Sequence, residues 1–292
     1  MQKEYILWSG IDNWLNAQGM YNRKIAKKVF ALMLQIDSES IGLINVKHQC
    51  ANIFTCDYLY KIQLYGNSVR RDLHNRKLFA ELRLPVVSPI KVCRRHPLVV
   101  RMPILQYPHD NETAADHILA QLSRTGRTKE FRLNDYPRLM EGLRILTHCN
   151  DIGRDGSTVK DYLHRNEGVK VRTGIVHGDF HRGNVMRKGS RPLLIDFDCV
   201  RACDIQAVDA LYYILEEVRH QHGYQRTWLQ EWLVLFENTD LARGHKCYGQ
   251  IDIDVKFGLV LLFLERLTQE NKIFIEKNML TINRINRKIC CL

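Results

Sequence analysis

The stretch Ile175-Val-His-Gly-Asp-Phe-His-Arg-Gly-Asn-Val-Met186, with Leu193-Leu-Ile-Asp-Phe-Asp198 close behind it, decides how this 292-residue chain is read. Asp179 lies five residues before Asn184, and Asp196 twelve after it. Gly174 to Val176 has the composition of a short strand, His177 to Gly183 that of a loop, and Asn184 to Met186 resumes an extended run. Arg187-Lys-Gly-Ser-Arg-Pro192 is turn-like, and Leu193-Leu-Ile195 is an apolar strand. A tight hairpin is therefore expected, carrying Asn184 and Asp196 together with Asp179 on the loop leading in. A carboxylate, a carboxamide and a second carboxylate suit Mg-dependent phosphoryl transfer. One acid orients an attacking hydroxyl while the other two groups hold the metal on the nucleotide phosphates.

The pattern His-Gly-Asp-x-x-x-x-Asn followed by Ile-Asp resembles the aminoglycoside phosphotransferase and choline kinase superfamily, a branch of the protein-kinase-like fold. The resemblance implies an α+β, bilobal protein, with a small β-rich N-lobe over residues 1–104 and a larger, mostly helical C-lobe over 105–292. It also implies ATP as phosphoryl donor, Mg2+ on Asn184 and Asp196, and Asp179 as the residue that receives the acceptor hydroxyl. His177 and Asp209 take supporting roles, Asp209 by hydrogen-bonding the catalytic loop. Asp198, where protein kinases have glycine, is left either to a second Mg ion or to solvent. Gly178 replaces the arginine of the protein-kinase catalytic loop, and no Asp-Phe-Gly or Ala-Pro-Glu segment follows. A small-molecule kinase is therefore the expectation, with GTP as an open alternative to ATP.

Bulk properties narrow the setting. Hydrophobic content of 45% and charged content of 26% are ordinary for a globular chain. The longest apolar run, 257–264, is far shorter than the roughly 20 residues a membrane helix needs. No basic segment followed by an apolar run opens the chain, so a cytoplasmic protein without a transmembrane segment is expected. Nine cysteines in that setting read as reduced thiols. A formal charge of +11 favours anionic partners in general. The basic residues are dispersed, with small clusters at Arg70-Arg71, Arg94-Arg95 and 284–288, and no nucleic-acid motif accompanies them.

Along the chain, residues 1–40 carry helical periodicity through Trp8, Ile11, Trp14 and Leu15 and again over 24–35. Residues 42–46 and 52–56 read as strands joined by a polar, glycine-free connection at 47–51. Residues 57–64 form a strand with Lys61 near its centre. A lysine among apolar neighbours is costly without an anionic partner, and the resemblance supplies the α- and β-phosphates of ATP. Residues 69–84 read as an amphipathic helix. The family's glutamate partner for the lysine would fall near His74 on that helix, which leaves Asp72 and Glu81 as the acids available. Residues 100–104 take the place of the hinge. Pro103 lacks an amide donor, so Arg101, Met102 and Ile104 are the expected backbone contacts to adenine.

Helices follow from Thr113, read as a capping residue, from Pro137, and over 159–164, 208–219, 228–237 and 254–268. A polar loop at 123–129 and another at 150–157 separate the earlier ones. Asp204 reads as a helix cap. The acceptor stays open among a small-molecule sugar, an amino alcohol and an antibiotic hydroxyl. Glu216-Glu217 offer a local acidic pocket for a cationic acceptor, whereas the net charge suits an anionic glycan of the lipopolysaccharide-core type. A polypeptide-directed kinase and an inactive nucleotide-binding scaffold remain as the other classes.

Overall fold

The computed structural model describes residues 30–31, 34–46, 50–64, 66–89, 91–93, 98–149 and 156–292. The expected helices over 1–29, the connection at 47–49, the Arg94-Arg95 pair and most of the loop at 150–157 lie outside the described residues. The chain divides into two compact units. One comprises residues up to Tyr107 together with Met186–Asp198, the other Pro108–Val185 with Cys199–Leu292.

The first unit is built on an antiparallel sheet. Its strands are β1 (Ile41–Val46), β2 (Cys50–Thr55), β3 (Tyr58–Gln63), β4 (Lys91–Cys93) and β5 (Val99–Pro103), in the order β1-β2-β3-β5-β4. Alternation in β2 and β3, and an irregularity in register between Ile41 and Leu43 of β1, bring Ile41, Ile44, Ala51, Ile53, Tyr60 and Ile62 into one buried cluster. Helix α1 (Ser68–Glu81) buries Val69 and Phe79. Val69 joins Val87, Val100, Met102 and Leu193 in a second cluster. Leu193 reaches it because the Leu194 amide donates to the Pro85 carbonyl at 2.9 Å.

The second unit is mainly helical. Its helices are α2 (Asn111–Ser123), α3 (Pro137–Cys149), α4 (Gly156–Arg165), α5 (Ala207–Gln221), α6 (Trp228–Glu237), α7 (Asp240–Arg243), α8 (Val255–Leu267), α9 (Lys272–Lys277) and α10 (Met279–Cys290). The run Phe257–Leu264 on α8 is buried throughout, as its unbroken apolar sequence requires. Gly142 of α3 faces the main chain of Leu264, where a Cβ would collide, so glycine there sets how closely the two helices approach. Helix α2 begins two residues before the expected Thr113 cap. Asp110 is the cap, its carboxylate accepting from the Thr113 amide at 3.0 Å.

A three-stranded sheet completes the second unit, with β6 (Arg127–Glu130), β7 (Lys170–Val176) and β10 (Arg201–Ile205) in the order β10-β7-β6. The last three residues of the polar stretch expected as a loop, 127–129, thus lie in an edge strand. The expected hairpin forms as β8 (Val185–Lys188) and β9 (Arg191–Leu194), turning at Gly189 with φ 61°. No helix among the described residues is long and apolar enough to cross a membrane. The described cysteines Cys56, Cys203, Cys247 and Cys291 are free thiols.

Candidate active-site residues

The candidate residues fall into two groups, one in each unit. In the first unit, β3 carries Lys61 into the interior, where its side chain is nearly inaccessible. Its Nζ lies 3.3 Å from Asp196, 3.7 Å from Asp198 and 4.0 Å from Asp72. Burial alone would lower the pKa of this amine, but the charges of Asp72, Asp196 and Asp198 outweigh it and leave the pKa raised. Lys61 is therefore a fixed cation. Its acidic partner on α1 is Asp72. Glu81 instead faces Lys77 at 3.7 Å on the exposed side of the helix.

Asp72 is fully buried and also organises the segment around Asp196. Burial pushes its carboxyl up, yet Arg76, 2.9 Å away, and Lys61 hold the pKa below the usual carboxylate value. Its Oδ1 accepts from the Phe197 amide at 3.0 Å, while Asn75 donates to the Phe197 carbonyl at 2.7 Å. The Phe197 ring packs against Phe79 and under the Arg76 guanidinium. These contacts hold Asp196 at φ 61°, a left-handed conformation that residues other than glycine adopt at a cost of about 1 kcal/mol or more.

Asp72, Asp196 and Asp198 each place a carboxylate oxygen within 4.8 Å of the others. Burial raises the Asp198 carboxyl, and the neighbouring Asp196 and Asp72 charges raise it further against the pull of Lys61. Its Oδ1 is buried and accepts no hydrogen bond from a described residue. Crowded carboxylates with an orphaned oxygen are a donor set suited to a hard divalent cation such as Mg2+.

Of the expected hinge residues, Arg101 pairs with both Tyr60 and Lys91 in the sheet and stacks its guanidinium over Tyr58. Met102 pairs with Leu59, its side chain buried. The Ile104 amide already donates to the Asp57 carbonyl at 3.0 Å, which leaves its carbonyl as the backbone group to offer.

In the second unit, β7 ends at Val176 and the loop from His177 is pinned from below. The buried Asp209 of α5 accepts from the His177 amide at 2.6 Å and the Gly178 amide at 2.9 Å. Burial pushes the Asp209 carboxyl up to about 7, against the pull of those two amides and Arg201. Asp204, read from sequence as a cap, lies on β10 and pairs with Arg201. Arg201 in turn contacts the buried Glu265.

Asn184 directs its side-chain amide at the Asp179 carbonyl at 2.8 Å and the Asp179 carboxylate at 3.3 Å. That orientation leaves its Oδ1 for another partner. Asp179 has His181 Nε2 at 3.6 Å and an Arg266 Nη1 at 3.7 Å. Burial would raise its carboxyl, but the His181 interaction, then the charges of Arg266 and His177, outweigh it and hold the pKa at about 2. Arg266 was not legible as a site residue. It follows the apolar run of α8, and nothing local ties it to Asp179.

Gly178 has φ 77°, and a Cβ there would collide with the Cys199 carbonyl and the Arg201 guanidinium. Gly178→Ala is expected to destabilise the second unit by at least about 1–3 kcal/mol, the range for a strained backbone residue, with the steric overlap in addition. Thermal melting followed by circular dichroism checks this, and a variant melting with the wild type contradicts it.

Motif, fold and site residues together define the class, a phosphotransferase of the kinase-like type. Residues 108–235 match the phosphotransferase enzyme family (APH), under half of the chain. That segment includes Asp179, Asn184, Asp196, Asp198 and Asp209 and leaves out Lys61 and Arg266. Among solved structures, the chain is similar to aminoglycoside phosphotransferase APH(3'')-Id from Streptomyces rimosus, with TM-score 0.51 and 12% identity over 82% of this chain and 98% of that one. Choline kinase LicA from Streptococcus pneumoniae aligns with TM-score 0.50 and 14% identity over 92% and 98%. The amicoumacin kinase hAmiN, solved with AMP-PNP and Ca2+, aligns with TM-score 0.50 and 12% identity over 94% and 95%. At these identities the likeness is one of fold. No curated protein matches the chain.

Proposed function

We propose that this protein is a Mg-dependent small-molecule kinase, transferring the γ-phosphoryl group of ATP to a hydroxyl of a small polar acceptor. The observation that carries the reading is the setting of Asp179. Its carboxylate is kept ionised, contacts Asn184, and sits on a loop whose amides are bonded to a buried aspartate. Asp179 accepts a hydrogen bond from the acceptor hydroxyl and aims its oxygen at the γ-phosphorus. As the new O–P bond forms and the bond to ADP breaks, Asp179 takes the hydroxyl proton. A carboxylate this acidic is a poor base towards a free alcohol, so the proton moves late, when the attacking oxygen has become acidic.

Lys61 would neutralise the α- and β-phosphates, and Asp196 and Asn184 would hold Mg2+, with Asp198 as a further carboxylate ligand. The metal supplies charge neutralisation on the phosphates. Met102 and Ile104 offer backbone groups to adenine, Ile104 through its carbonyl, whereas Arg101, expected to join them, has a paired strand on each side. His177 and Asp209 act by fixing the loop. The buried grouping of a fixed cation with crowded acids favours an active kinase over an inactive scaffold, since the charges have no packing purpose that apolar residues would not serve better.

Binding tests the nucleotide half directly. Saturation at 100 times the dissociation constant stabilises a protein by about 2.7 kcal/mol, so Mg·ATP is expected to raise the melting temperature by several degrees. Asp196→Ala should abolish the Mg-dependent part of that rise, read as the difference between Mg2+ and EDTA. A wild-type melting curve that ignores Mg·ATP would sink the kinase reading.

A further inference from the structure

The surroundings of Asp179 within the second unit carry information about the acceptor. Arg266 lies on α8 with its guanidinium stacked 4.3 Å over the Tyr212 ring, and its side chain is mostly buried. Its Nη1 donates to Gln269 Oε1 at 2.6 Å and faces the Asp179 carboxylate at 3.7 Å. Its Nε is buried and has no hydrogen-bond partner among the described residues. A buried, unpaired, charged donor costs about 1–3 kcal/mol or more until an acceptor reaches it. The edge formed by Nε and Nη2 presents two parallel N–H groups, the geometry that takes a carboxylate or phosphate in a bidentate pair.

The nearby acids do not offset this cation for an incoming amine. Glu216 pairs with Arg219 on α5. Glu217 faces Arg182 at 3.5 Å, and Arg182 also contacts His220. Each acid of the pocket expected at Glu216-Glu217 thus has an arginine of the same unit beside it, while the buried Glu217 Oε1 accepts no hydrogen bond from a described residue. A polycationic acceptor would meet Arg266 beside the reacting hydroxyl and an arginine beside each of the two acids.

We infer that the unpaired edge of Arg266 is an anion subsite beside Asp179, and that the acceptor carries a carboxylate or phosphate close to the hydroxyl that is phosphorylated. The inference rests on the kinase reading for the role of Asp179. The subsite itself can be tested by binding alone. Glucose, glucosamine, glucuronate and glucose 6-phosphate are titrated calorimetrically into the wild-type protein and into Arg266→Gln and Arg266→Lys.

At least one anionic sugar is expected to bind tenfold or more tighter than glucose, with glucosamine weakest. Glucuronate and glucose 6-phosphate separate a carboxylate subsite from a phosphate one. Arg266→Gln removes the preference, and Arg266→Lys restores part of it. Equal affinities, tighter glucosamine, no binding at all, or a preference that survives in Arg266→Gln overturns the subsite. An Arg266 that merely positions Asp179 would leave the ratio of anionic to neutral sugar unmoved. Failure of Mg·ATP to stabilise the protein, with the anion preference intact, would count against the kinase reading and not against the subsite.

Discussion

Asp179→Ala is expected to lower kcat by about 10³-fold while leaving the fold and nucleotide binding in place. Positioned acid–base groups contribute about 10²–10⁴-fold, and Asp179 is the carboxylate assigned to the acceptor hydroxyl. The side chain is partly exposed, so its removal creates no large cavity. Asn184 keeps its bond to the Asp179 main-chain carbonyl, which alanine retains. The loop remains held by Asp209, which bonds only backbone amides of His177 and Gly178. The sign of the pH dependence follows from the lowered pKa. A carboxylate held at about 2 in the folded protein, against an unfolded value of about 3.9, contributes stability above pH 4 that is lost as pH falls towards 2. Between pH 5 and 9 Asp179 stays ionised, so neither stability nor rate inflects on its account. An Asp179 carboxyl titrating above pH 5 by 13C NMR contradicts that placement.

Asp72→Ala is expected to unfold the first unit far more readily. Asp72 is fully buried and its carboxylate serves three partners, the Arg76 guanidinium, the Lys61 amine and the Phe197 amide. Removing one member of a buried ion pair leaves an uncompensated charge and costs about 3–5 kcal/mol. Here Arg76 loses its carboxylate partner at once, and Lys61 keeps only the less buried Asp196 and Asp198. The Phe197 amide also loses its acceptor, freeing the segment that holds Asp196 at positive φ. At about 2–4 °C per kcal/mol, a melting temperature about 10 °C lower is expected. Asp72→Asn should recover part of the loss, because a carboxamide still accepts from the Phe197 amide. Wild-type melting of Asp72→Ala contradicts the arrangement.

Much of this was legible in sequence where the signal is local. The hairpin after Asn184 followed from an apolar run, a Gly- and Pro-rich turn and a second apolar run, and it forms as β8 and β9. Helices α5, α6 and α8 followed from their apolar spacing to within two residues. Lys61 announced itself as a lysine inside an apolar strand, and its burial among acids explains why that position tolerates a charge.

The misses are long-range. Whether Lys61 faces Asp72 or Glu81 depends on how α1 is rotated, and both acids look alike in sequence. Arg127–Glu130 is an edge strand of polar residues held by pairing with Lys170–Val176, and no alternation marks it. Asp204 reads as a cap because aspartate favours caps, but its pairing with Gly174 puts it on β10. Arg266 reaches Asp179 only through the packing of α8.

The central claim is phosphoryl transfer to a hydroxyl under the control of Asp179. The most direct measurement is 31P NMR of the wild-type protein and Asp179→Ala with Mg·ATP and a set of sugars, sugar acids, amino sugars, choline and aminoglycosides. The predicted result is a new phosphomonoester resonance with matching ADP in the wild type, and its absence from a folded, nucleotide-binding Asp179→Ala. Ester formation at equal rates in both proteins, or ATP bound by the wild type with no ester formed from any acceptor, would contradict it.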